Sequence, residues 1–412
     1  MLVNQKPFYR QLTEEDYQLM AGPDWPTYQE FSTGQPLEEF VADEIDGMLD
    51  SVNEKKKKLS NFCVLPFYGR EYPSNIHCCL LPKDYDIQSI QQDMLENRRN
   101  PQCGKCWKLE DAGLLSDRQV KNFTLDFYTD TDLLYLFDQC EKKQNKITHY
   151  KVSAGNFCNA TCVTCNDESS TAWGDLLKSP ENQSSKKIAP LKILKKDNEK
   201  IKIDYVSARF IGFTGGESTM IRTHWDILEN LDLAGNNDCC ISFTTNGSFE
   251  LTPRQKTLLS KFKSVNFNFS IDGVGRVFEY LRFPLSWEKT LSNIDWACDQ
   301  GYLISAMYTI NNLNIFYHEQ TIEWFKTNQI RYLENPVYDP VYFHARSLSQ
   351  KIKNKILSST NDTLVTSLLK NHSDSDDLNY QEFLKQIKFQ DSLKKIDVRD
   401  YLPEFWNLVD NL

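Results

Sequence analysis

Strands that alternate with helices dominate the second half of this 412-residue chain. Short apolar or alternating runs predict strands at 147–152, 210–213, 241–243, 265–271, 302–308 and 330–333. Apolar residues at helical spacing predict helices at 171–178, 225–231, 253–262, 287–300 and 318–327. This order predicts an α/β fold with a parallel sheet and crossover helices. Because six strands are fewer than a closed barrel needs, we predict an open, partial (β/α)6 barrel.

The pattern divides the chain into four regions. We predict an N-terminal extension at 1–60, a cysteine-rich module with a helical connector at 61–146, the partial barrel at 147–345 and a charged, helical C-terminal region at 346–412. Inside the second region, Ile90, Met94 and Leu95 recur at helical spacing and predict a short helix over 89–99. The polar stretch 179–202 predicts a surface excursion between the first two barrel strands.

The composition and net charge of the chain limit which partners and which cellular location we expect for it. A formal net charge of −10 argues against a nucleic-acid substrate, which usually requires a positive surface. No apolar run has the length of a membrane-spanning helix, and the first residues lack the apolar core of a signal peptide. We therefore expect a cytoplasmic location without membrane contact. Cysteines stay reduced there, so the clustering of several of the twelve favours metal or cluster ligation over disulfides.

Three cysteines follow the first barrel strand within eight residues. Cys158, Cys162 and Cys165 have the spacing C-x3-C-x2-C, and they lie at the carboxyl end of a parallel strand, where active sites of such folds form. Three thiolates can hold three irons of a [4Fe–4S] cluster and leave the fourth iron open. A zinc ion instead prefers four ligands. The spacing alone leaves both interpretations open.

A Gly-Gly-Glu motif follows the second barrel strand. Gly215 and Gly216 remove side chains where a backbone must come close to a ligand, and Glu217 offers a carboxylate to an ammonium group. By itself the motif is typical of a turn. Its position one strand after the cysteine loop favours the iron–sulfur interpretation.

Polar residues also follow the next two strands. Asn246 ends the third strand in an Asn-Gly pair, which is first of all a turn signal. Ser270 and Asp272 end the fourth strand, and the period of two places both on one face, toward the barrel mouth. Arg282 follows them, and it can be either a surface arginine or a clamp for a carboxylate.

The cysteine loop and the Gly-Gly-Glu motif together resemble the radical S-adenosylmethionine (SAM) superfamily. The resemblance implies a SAM-binding [4Fe–4S] cluster on Cys158, Cys162 and Cys165. It also implies SAM contacts from Gly215, Gly216, Glu217, Asn246, Ser270, Asp272 and Arg282. The chain departs from the family at Thr164, where many members carry an aromatic residue near the adenine. Tyr308 is a candidate to replace that contact, although a buried tyrosine in a strand is more often part of the core.

A first group of cysteines precedes the barrel, and it comprises Cys63, Cys78, Cys79, Cys103 and Cys106. Four thiols suffice for a closed [4Fe–4S] cluster or for a structural zinc, and the spacing alone favours zinc. The module resembles the twitch domain of radical SAM enzymes, and its place before the barrel resembles the N-terminal twitch-domain radical SAM proteins. The resemblance implies a second, auxiliary [4Fe–4S] cluster on Cys63, Cys78, Cys103 and Cys106.

The two adjacent cysteines cannot both be equivalent ligands. Neighbours in a strand point to opposite sides, so Cys78 is preferred as the ligand and Cys79 is predicted to be a core thiol. Four further cysteines lack ligand spacing and are predicted to pack as small apolar residues: Cys140, Cys239, Cys240 and Cys298.

The resemblance implies an enzyme that reductively cleaves SAM, forms a 5′-deoxyadenosyl radical and abstracts hydrogen from a peptide or protein side chain. A flavodoxin- or ferredoxin-type electron donor is then expected. One alternative is a radical SAM enzyme that acts on a small metabolite, sugar or nucleoside. An alternative of another class is a zinc-stabilised binding protein with an inactive barrel.

Overall fold

The structure is a computed structural model that describes residues 59–111, 116–122, 133–178, 200–370 and 374–411. Nearly all of the predicted N-terminal extension lies outside the described residues. So do most of the polar stretch at 179–202 and part of the helical connector. Among the residues described, no helix combines the length and the apolar composition that crossing a bilayer requires.

Seven parallel strands form one sheet in strict chain order. They are β1 (Gly69–Tyr72), β2 (His149–Val152), β3 (Phe210–Phe213), β4 (Cys240–Thr245), β5 (Val265–Ser270), β6 (Leu303–Ile310) and β7 (Arg331–Pro336). The α/β class and all six predicted strands are confirmed, as β2–β7. The predicted strand number is corrected to seven, because β1 also joins the sheet beside β2. Its four residues, Gly-Arg-Glu-Tyr, carry too few apolar positions to be recognised as a strand.

Helices connect the strands and continue to the C-terminus. Before the barrel they are α1 (Leu65–Tyr68), α2 (Ile87–Leu95), α3 (Gly104–Asp111) and α4 (Leu133–Glu141). Within the barrel they are α5 (Thr171–Lys178), α6 (Arg222–Leu233), α7 (Pro253–Leu259), α8 (Arg276–Leu281), α9 (Trp287–Asp299) and α10 (His318–Thr327). The C-terminal region adds α11 (Gln350–Leu357), α12 (Thr363–Leu369), α13 (Asp374–Lys394), α14 (Val398–Tyr401) and α15 (Pro403–Asn411).

Local sequence explains where the barrel helices begin. Thr252 and Gln255 form a capping box at the start of α7, and the Ser286 hydroxyl accepts a hydrogen bond from the Lys289 amide at the start of α9. Such caps satisfy amide groups that the first helical turn leaves without partners. The five helices predicted between the strands are therefore present, and their ends differ from the predicted ones by a few residues at most.

One face of the sheet is apolar and lies under the crossover helices. Phe213, Phe243 and Phe267 come from three neighbouring strands and stack with centroid distances of 5.0 and 5.6 Å. All three are fully buried. In a parallel sheet ordered strictly by sequence, right-handed crossovers place all helices on this one face. The opposite face therefore becomes the inner face of an open barrel.

The inner face of the sheet is polar across its middle strands. Ser242, Asn266, Asn268 and Ser305 alternate with the phenylalanines and are hydrogen-bonded to one another over β4, β5 and β6. The sequence Val-Asn-Phe-Asn-Phe-Ser of β5 shows this alternation directly. Parallel strands are usually apolar on both faces. A polar inner wall thus marks the side on which this barrel can accept a hydrogen-bonding ligand.

Tyr308 lies on the outer face, which corrects its expected role beside the adenine. Its ring is fully buried, 5.6 Å from the His318 ring and 5.9 Å from the Phe325 ring of α10. The alternation along β6 turns Ser305 inward and Tyr308 outward, toward the helices. The tyrosine is therefore part of the core.

The C-terminal region is helical, as predicted, and its helices pack against the barrel. Phe383, Leu402 and Phe405 from this region are fully buried in the same hydrophobic core as the strands. This core is continuous from β2 to α15, so the C-terminal helices contribute to the stability of the barrel.

A buried group of charges joins β7 to α10. Oε1 of Glu334 lies 3.4 Å from Nε2 of His318, and Oδ2 of Asp362 lies 3.6 Å from the same nitrogen. Burial raises the pKa of Glu334 to about 7, whereas the close approach of His318 lowers the pKa of Asp362 to about 2. Glu334 therefore changes its charge near neutral pH.

We expect Glu334→Gln to gain stability relative to the parent chain as the pH rises from 5 to 8. A carboxyl group with a raised pKa contributes its full stability below its unfolded value, about 4.3, and loses it as the pH rises through about 7. The neutral glutamine does not titrate. Between pH 5 and 8 the free energy of unfolding of the variant should therefore rise by up to about 3 kcal/mol relative to that of the parent. The free energy of unfolding in urea at both pH values measures it.

Glu323→Gln provides the control for this measurement, because Glu323 is exposed on α10, the helix that carries His318. Its stability relative to the parent should not change between the two pH values. An equal pH response of the two variants would contradict the buried titration of Glu334.

Candidate functional site

The loop after β2 carries the three cysteines of the C-x3-C-x2-C motif. Cys158, Cys162 and Cys165 lie at the carboxyl edge of the sheet, partly buried. Burial raises the pKa of all three thiols, to about 12 for Cys162, although the nearby positive charge of Arg282 opposes this. The loop thus presents three sulfur atoms in an environment with little water.

Helix α5 fastens this loop from one side. The Cys158 amide donates to Oγ1 of Thr171 at 3.0 Å, and the Thr171 hydroxyl donates to the Cys158 carbonyl at 3.0 Å. Two residues further, the Trp173 indole donates to the Cys162 carbonyl at 3.0 Å. Two of the three cysteines are therefore fixed through their backbones, which leaves their sulfur atoms available.

The segment after α8 fastens the loop from the other side. The Thr161 amide donates to the Phe283 carbonyl at 2.7 Å, and the Val163 amide donates to the Leu281 carbonyl at 2.8 Å. These bonds flank Cys162 and resemble a short ladder between two segments that are far apart in sequence. Arg282 is held between the two acceptor residues and so faces the cysteine loop.

Gly215 and Gly216 lie against the backbone that leads into the cysteine loop. The Gly216 amide donates to the Gly155 carbonyl at 3.1 Å, and the Glu217 amide donates to the Phe157 carbonyl at 2.7 Å. A β-carbon on Gly215 would lie 2.4 Å from the Gly155 oxygen, and one on Gly216 would lie 2.3 Å from the Phe157 oxygen. Only glycine permits this approach, so the motif fixes the loop as well as any ligand it contacts.

The Glu217 carboxylate is fully buried and accepts four hydrogen bonds from the protein. Oε1 accepts from the amide and hydroxyl of Thr219 and from the Thr245 hydroxyl, at 3.1, 2.5 and 2.7 Å. Oε2 accepts from the Asn246 amide at 2.6 Å. Burial raises its pKa, and the hydrogen bonds oppose that rise. Glu217 therefore joins the end of β3 to the end of β4.

Asn246 connects this junction to the first cysteine of the motif. Its side-chain nitrogen donates to Oδ1 of Asn159 at 2.9 Å and lies 4.0 Å from Sγ of Cys158. The structure thus places Asn246, one of the residues predicted to contact SAM, next to the cysteine loop.

Asp272 and Arg282 form a buried ion pair beside Cys162. Nη2 of Arg282 lies 2.8 Å from Oδ2 of Asp272, with side-chain exposures of 12% and 3%. Nη1 of Arg282 lies 3.9 Å from Sγ of Cys162. Arg282 is therefore not a surface arginine. Ser270, predicted to lie on the same face as Asp272, is half-buried at the end of β5.

The residues present fit an iron–sulfur cluster by their chemistry. The donors are thiols alone, which suit iron–sulfur clusters. A buried guanidinium beside Cys162 offsets part of the negative charge of thiolates. Within the described ranges, Nε of Arg282 is buried and has no hydrogen-bond partner. In the same ranges, no three or more His, Cys, Asp or Glu side chains are arranged to hold a metal ion.

The cysteines that precede the barrel lie near enough to one another for their charges to interact. The charges of Cys103 and Cys106 act on Cys63, and the charge of Cys63 acts on Cys78, in each case raising the pKa. Burial is the largest cause of the raised pKa of Cys63, and the hydrogen bond with Cys79 is the largest for Cys78. These four thiols are the predicted auxiliary ligands.

Cys79 is exposed, which corrects its prediction as a core thiol. The prediction assumed a strand at this point, but β1 ends at Tyr72 and Cys79 lies in a turn. Its sulfur lies 3.4 Å from Nζ of Lys151 on β2. Of the cysteines predicted to pack as apolar residues, Cys140, Cys239 and Cys240 are buried and Cys298 is half-buried.

Sequence reasoning missed one charged residue at the site, Lys394 at the end of α13. Its amino group lies 4.8 Å from the centre of the Trp173 ring, and its charge acts on Cys162 and Cys165. Lys394 follows the motif by more than two hundred residues, so no local pattern could have indicated it.

Protein-family models and curated proteins give no match to this chain. Among solved structures, native anSMEcpe with bound AdoMet is similar over 54% of this chain and 62% of its own, with 15% identity and a TM-score of 0.35. Streptococcus suis SuiB bound to S-adenosylmethionine is similar over 68% of this chain and 60% of its own, with 12% identity and a TM-score of 0.33. SuiB bound to the precursor peptide SuiA gives 14% identity and the same TM-score, 0.33.

This chain therefore spans about three fifths of the length of these solved chains. At these TM-scores the likeness is partial, so any assignment of function must depend on the site residues of this chain.

Replacing Gly216 with alanine should destabilise the fold by about 2–3 kcal/mol, because the new β-carbon would overlap the Phe157 carbonyl oxygen and force the loop away. Gly155→Ala is a matched control in the same loop, since a β-carbon there meets nothing within 4 Å. Its stability should stay within about 0.5 kcal/mol of the parent. Urea unfolding of both variants measures the difference, and equal stabilities would contradict the proposed close approach.

Proposed function

We propose that this chain is a radical SAM enzyme. The observation that carries the proposal is the meeting of three elements at one edge of the parallel sheet. These are the three-cysteine loop, the Gly-Gly-Glu backbone hydrogen-bonded to that loop, and the buried ion pair of Asp272 and Arg282, 3.9 Å from Cys162. A structural zinc site has no need of the last two.

Cys158, Cys162 and Cys165 would hold a [4Fe–4S] cluster through three of its irons. When bound and reduced, such a cluster supplies the electron that cleaves the C–S bond of SAM to methionine and a 5′-deoxyadenosyl radical, which then takes a hydrogen atom from the substrate. The contribution of this chain is to hold the sulfur atoms by their backbones, to supply positive charge through Arg282 and to restrict water at the barrel mouth.

The residues proposed to bind SAM are Gly215, Gly216, Glu217, Asn246, Ser270, Asp272 and Arg282. Four protein donors already occupy the Glu217 carboxylate, so contact with the SAM ammonium falls mainly to backbone carbonyls of the Gly-Gly segment. Arg282 keeps a buried Nε without a partner in the described part of the chain, and this donor suits the SAM carboxylate.

Cys63, Cys78, Cys103 and Cys106 are proposed to ligate an auxiliary [4Fe–4S] cluster. β1 belongs both to this module and to the barrel sheet, and the chain reverses after it, at an antiparallel bridge between Glu71 and Ile76, before it reaches Cys78. An auxiliary cluster at this place could pass electrons to or from the substrate. A flavodoxin- or ferredoxin-type protein is the proposed external donor.

The proposed substrate is a peptide or protein side chain. Auxiliary-cluster modules accompany that substrate class in the enzymes that this chain resembles. The polar inner wall formed by Ser242, Asn266, Asn268 and Ser305 supports a substrate that carries hydrogen-bonding groups.

Replacement of Cys162 by alanine should lower SAM cleavage by at least about 100-fold, because one of three cluster ligands is lost. The measurement is the 5′-deoxyadenosine formed by anaerobic, iron-loaded protein with dithionite as reductant. Cys298→Ala is the control, since Cys298 is half-buried outside the cysteine loop. Undiminished cleavage by the Cys162 variant would refute the assignment of the loop.

Iron and sulfide analysis tests the number of clusters. Anaerobic protein should contain about eight iron atoms per chain, and the double variant Cys103→Ala/Cys106→Ala about four, as two cubane clusters require. Zinc in place of iron at the first cysteine group would overturn the auxiliary cluster but leave the SAM-binding cluster in place.

A further inference from the structure

Helix α13 brings a lysine from the C-terminal region to the three-cysteine loop. Lys394 is the last residue of this helix, and its side chain is buried, with a relative exposure of 7%. A buried lysine needs a compensating partner, because removing an ammonium group from water costs several kcal/mol or more. The contacts around Lys394 therefore indicate which groups its positive charge interacts with.

Two contacts hold the end of α13 against the loop. The Gln390 side-chain nitrogen donates to the Val163 carbonyl at 2.9 Å, between the second and third cysteines. The Lys394 amino group donates to the Gln390 side-chain oxygen at 3.0 Å, one helical turn away. Gln390 thus bridges the lysine and the cysteine loop.

Trp173 of α5 completes the environment of the lysine. Nζ of Lys394 lies 4.8 Å from the centre of its ring, a cation–π distance, and the same indole donates to the Cys162 carbonyl. Gln390 and Trp173 are both neutral. Neither can balance the positive charge that they position.

The negative charges that act on Lys394 come from the cysteine loop and from one carboxylate. Burial lowers the pKa of Lys394 to about 8, and the charges of Cys162, Asp391 and Cys165 oppose that, Cys162 most strongly. Asp391 itself accepts hydrogen bonds from the Tyr280 hydroxyl and the Val398 amide, both at 2.8 Å. Once deprotonated to hold a cluster, Cys162 and Cys165 are thus, together with Asp391, the negative charges that act on the lysine.

We propose that Lys394 is a positioning residue that holds a fixed positive charge beside Cys162 and Cys165 and thereby raises the reduction potential of the cluster bound there. This inference rests on the proposed function. A nearby cation stabilises the extra electron of a reduced cluster, and the effect is strong where water is excluded. Lys394 thereby makes the C-terminal region part of the site and adds a second positive charge to that of Arg282, whose Nη1 lies 3.9 Å from Sγ of Cys162.

The test is a redox titration of anaerobic, full-length protein followed by electron paramagnetic resonance. The signal that changes on addition of SAM identifies the cluster of the Cys158 loop. For Lys394→Met we expect the ratio of reduced to oxidised cluster at a fixed potential to fall about tenfold, which is about 59 mV for one electron. Lys394→Arg retains the charge, and its ratio should stay within about twofold of the parent.

Lys385→Met is the matched control. Lys385 lies on the same helix with a side-chain exposure of 73%, so its charge is screened by water. In this variant the ratio of reduced to oxidised cluster at the fixed potential should equal that of the parent. A Lys394→Met protein with full iron content and an unchanged potential would overturn the inference.

The iron content of the two Lys394 variants also tests the inference. Iron lost from Lys394→Met but kept by Lys394→Arg would support the inference, since charge alone separates the two side chains. Iron lost from both would overturn it in favour of a packing role. A parent chain that binds no iron would instead overturn the proposed function, and the inference with it.

Discussion

The close approach of two backbone segments is the constraint on which the site depends. Residues 155–157 lead from β2 into the cysteine loop, and they pair with Gly216 and Glu217 after β3. A single β-carbon on Gly216 would lie 2.3 Å from a carbonyl oxygen, so this pairing tolerates no side chain. It fixes the starting direction of the loop, and the positions of all three sulfur atoms follow from that direction.

The buried carboxylate of Glu217 extends this constraint to β4. Four donors satisfy it, and among them Thr245 and Asn246 belong to the end of that strand. Asn246 in turn reaches Asn159 and the sulfur of Cys158. A carboxylate can be buried only if hydrogen bonds or charges replace water. The Gly-Gly-Glu motif therefore fixes the ends of β2, β3 and β4 relative to one another. This structural role is additional to the ligand contact with which the motif is usually associated.

Much of the barrel could be predicted from sequence because its strands alternate clearly. In β5, Asn266 and Asn268 separate Val265, Phe267 and Phe269, and the structure places the two sets on opposite faces. The sites at strand ends were predictable for the same reason, since parallel strands end together. β1 was not predictable, because its pairing with β2 joins residues about eighty positions apart and its four residues show no clear period. The error at Cys79 has a similar cause, since its turn has no local signal.

Contacts made by the C-terminal region lay beyond sequence reasoning altogether. Gln390 and Lys394 look like an ordinary i, i+4 pair on a charged helix, and only the folded chain places them against residues 162–165. Three thiolates confined to one loop carry negative charge that a low-dielectric site cannot leave unbalanced. One nearby cation, Arg282, which also pairs with Asp272, comes from the segment after the fourth barrel helix, and the other, Lys394, from the end of the chain. Because both are buried, the charge balance of the site depends on the complete packing of the barrel with its C-terminal helices.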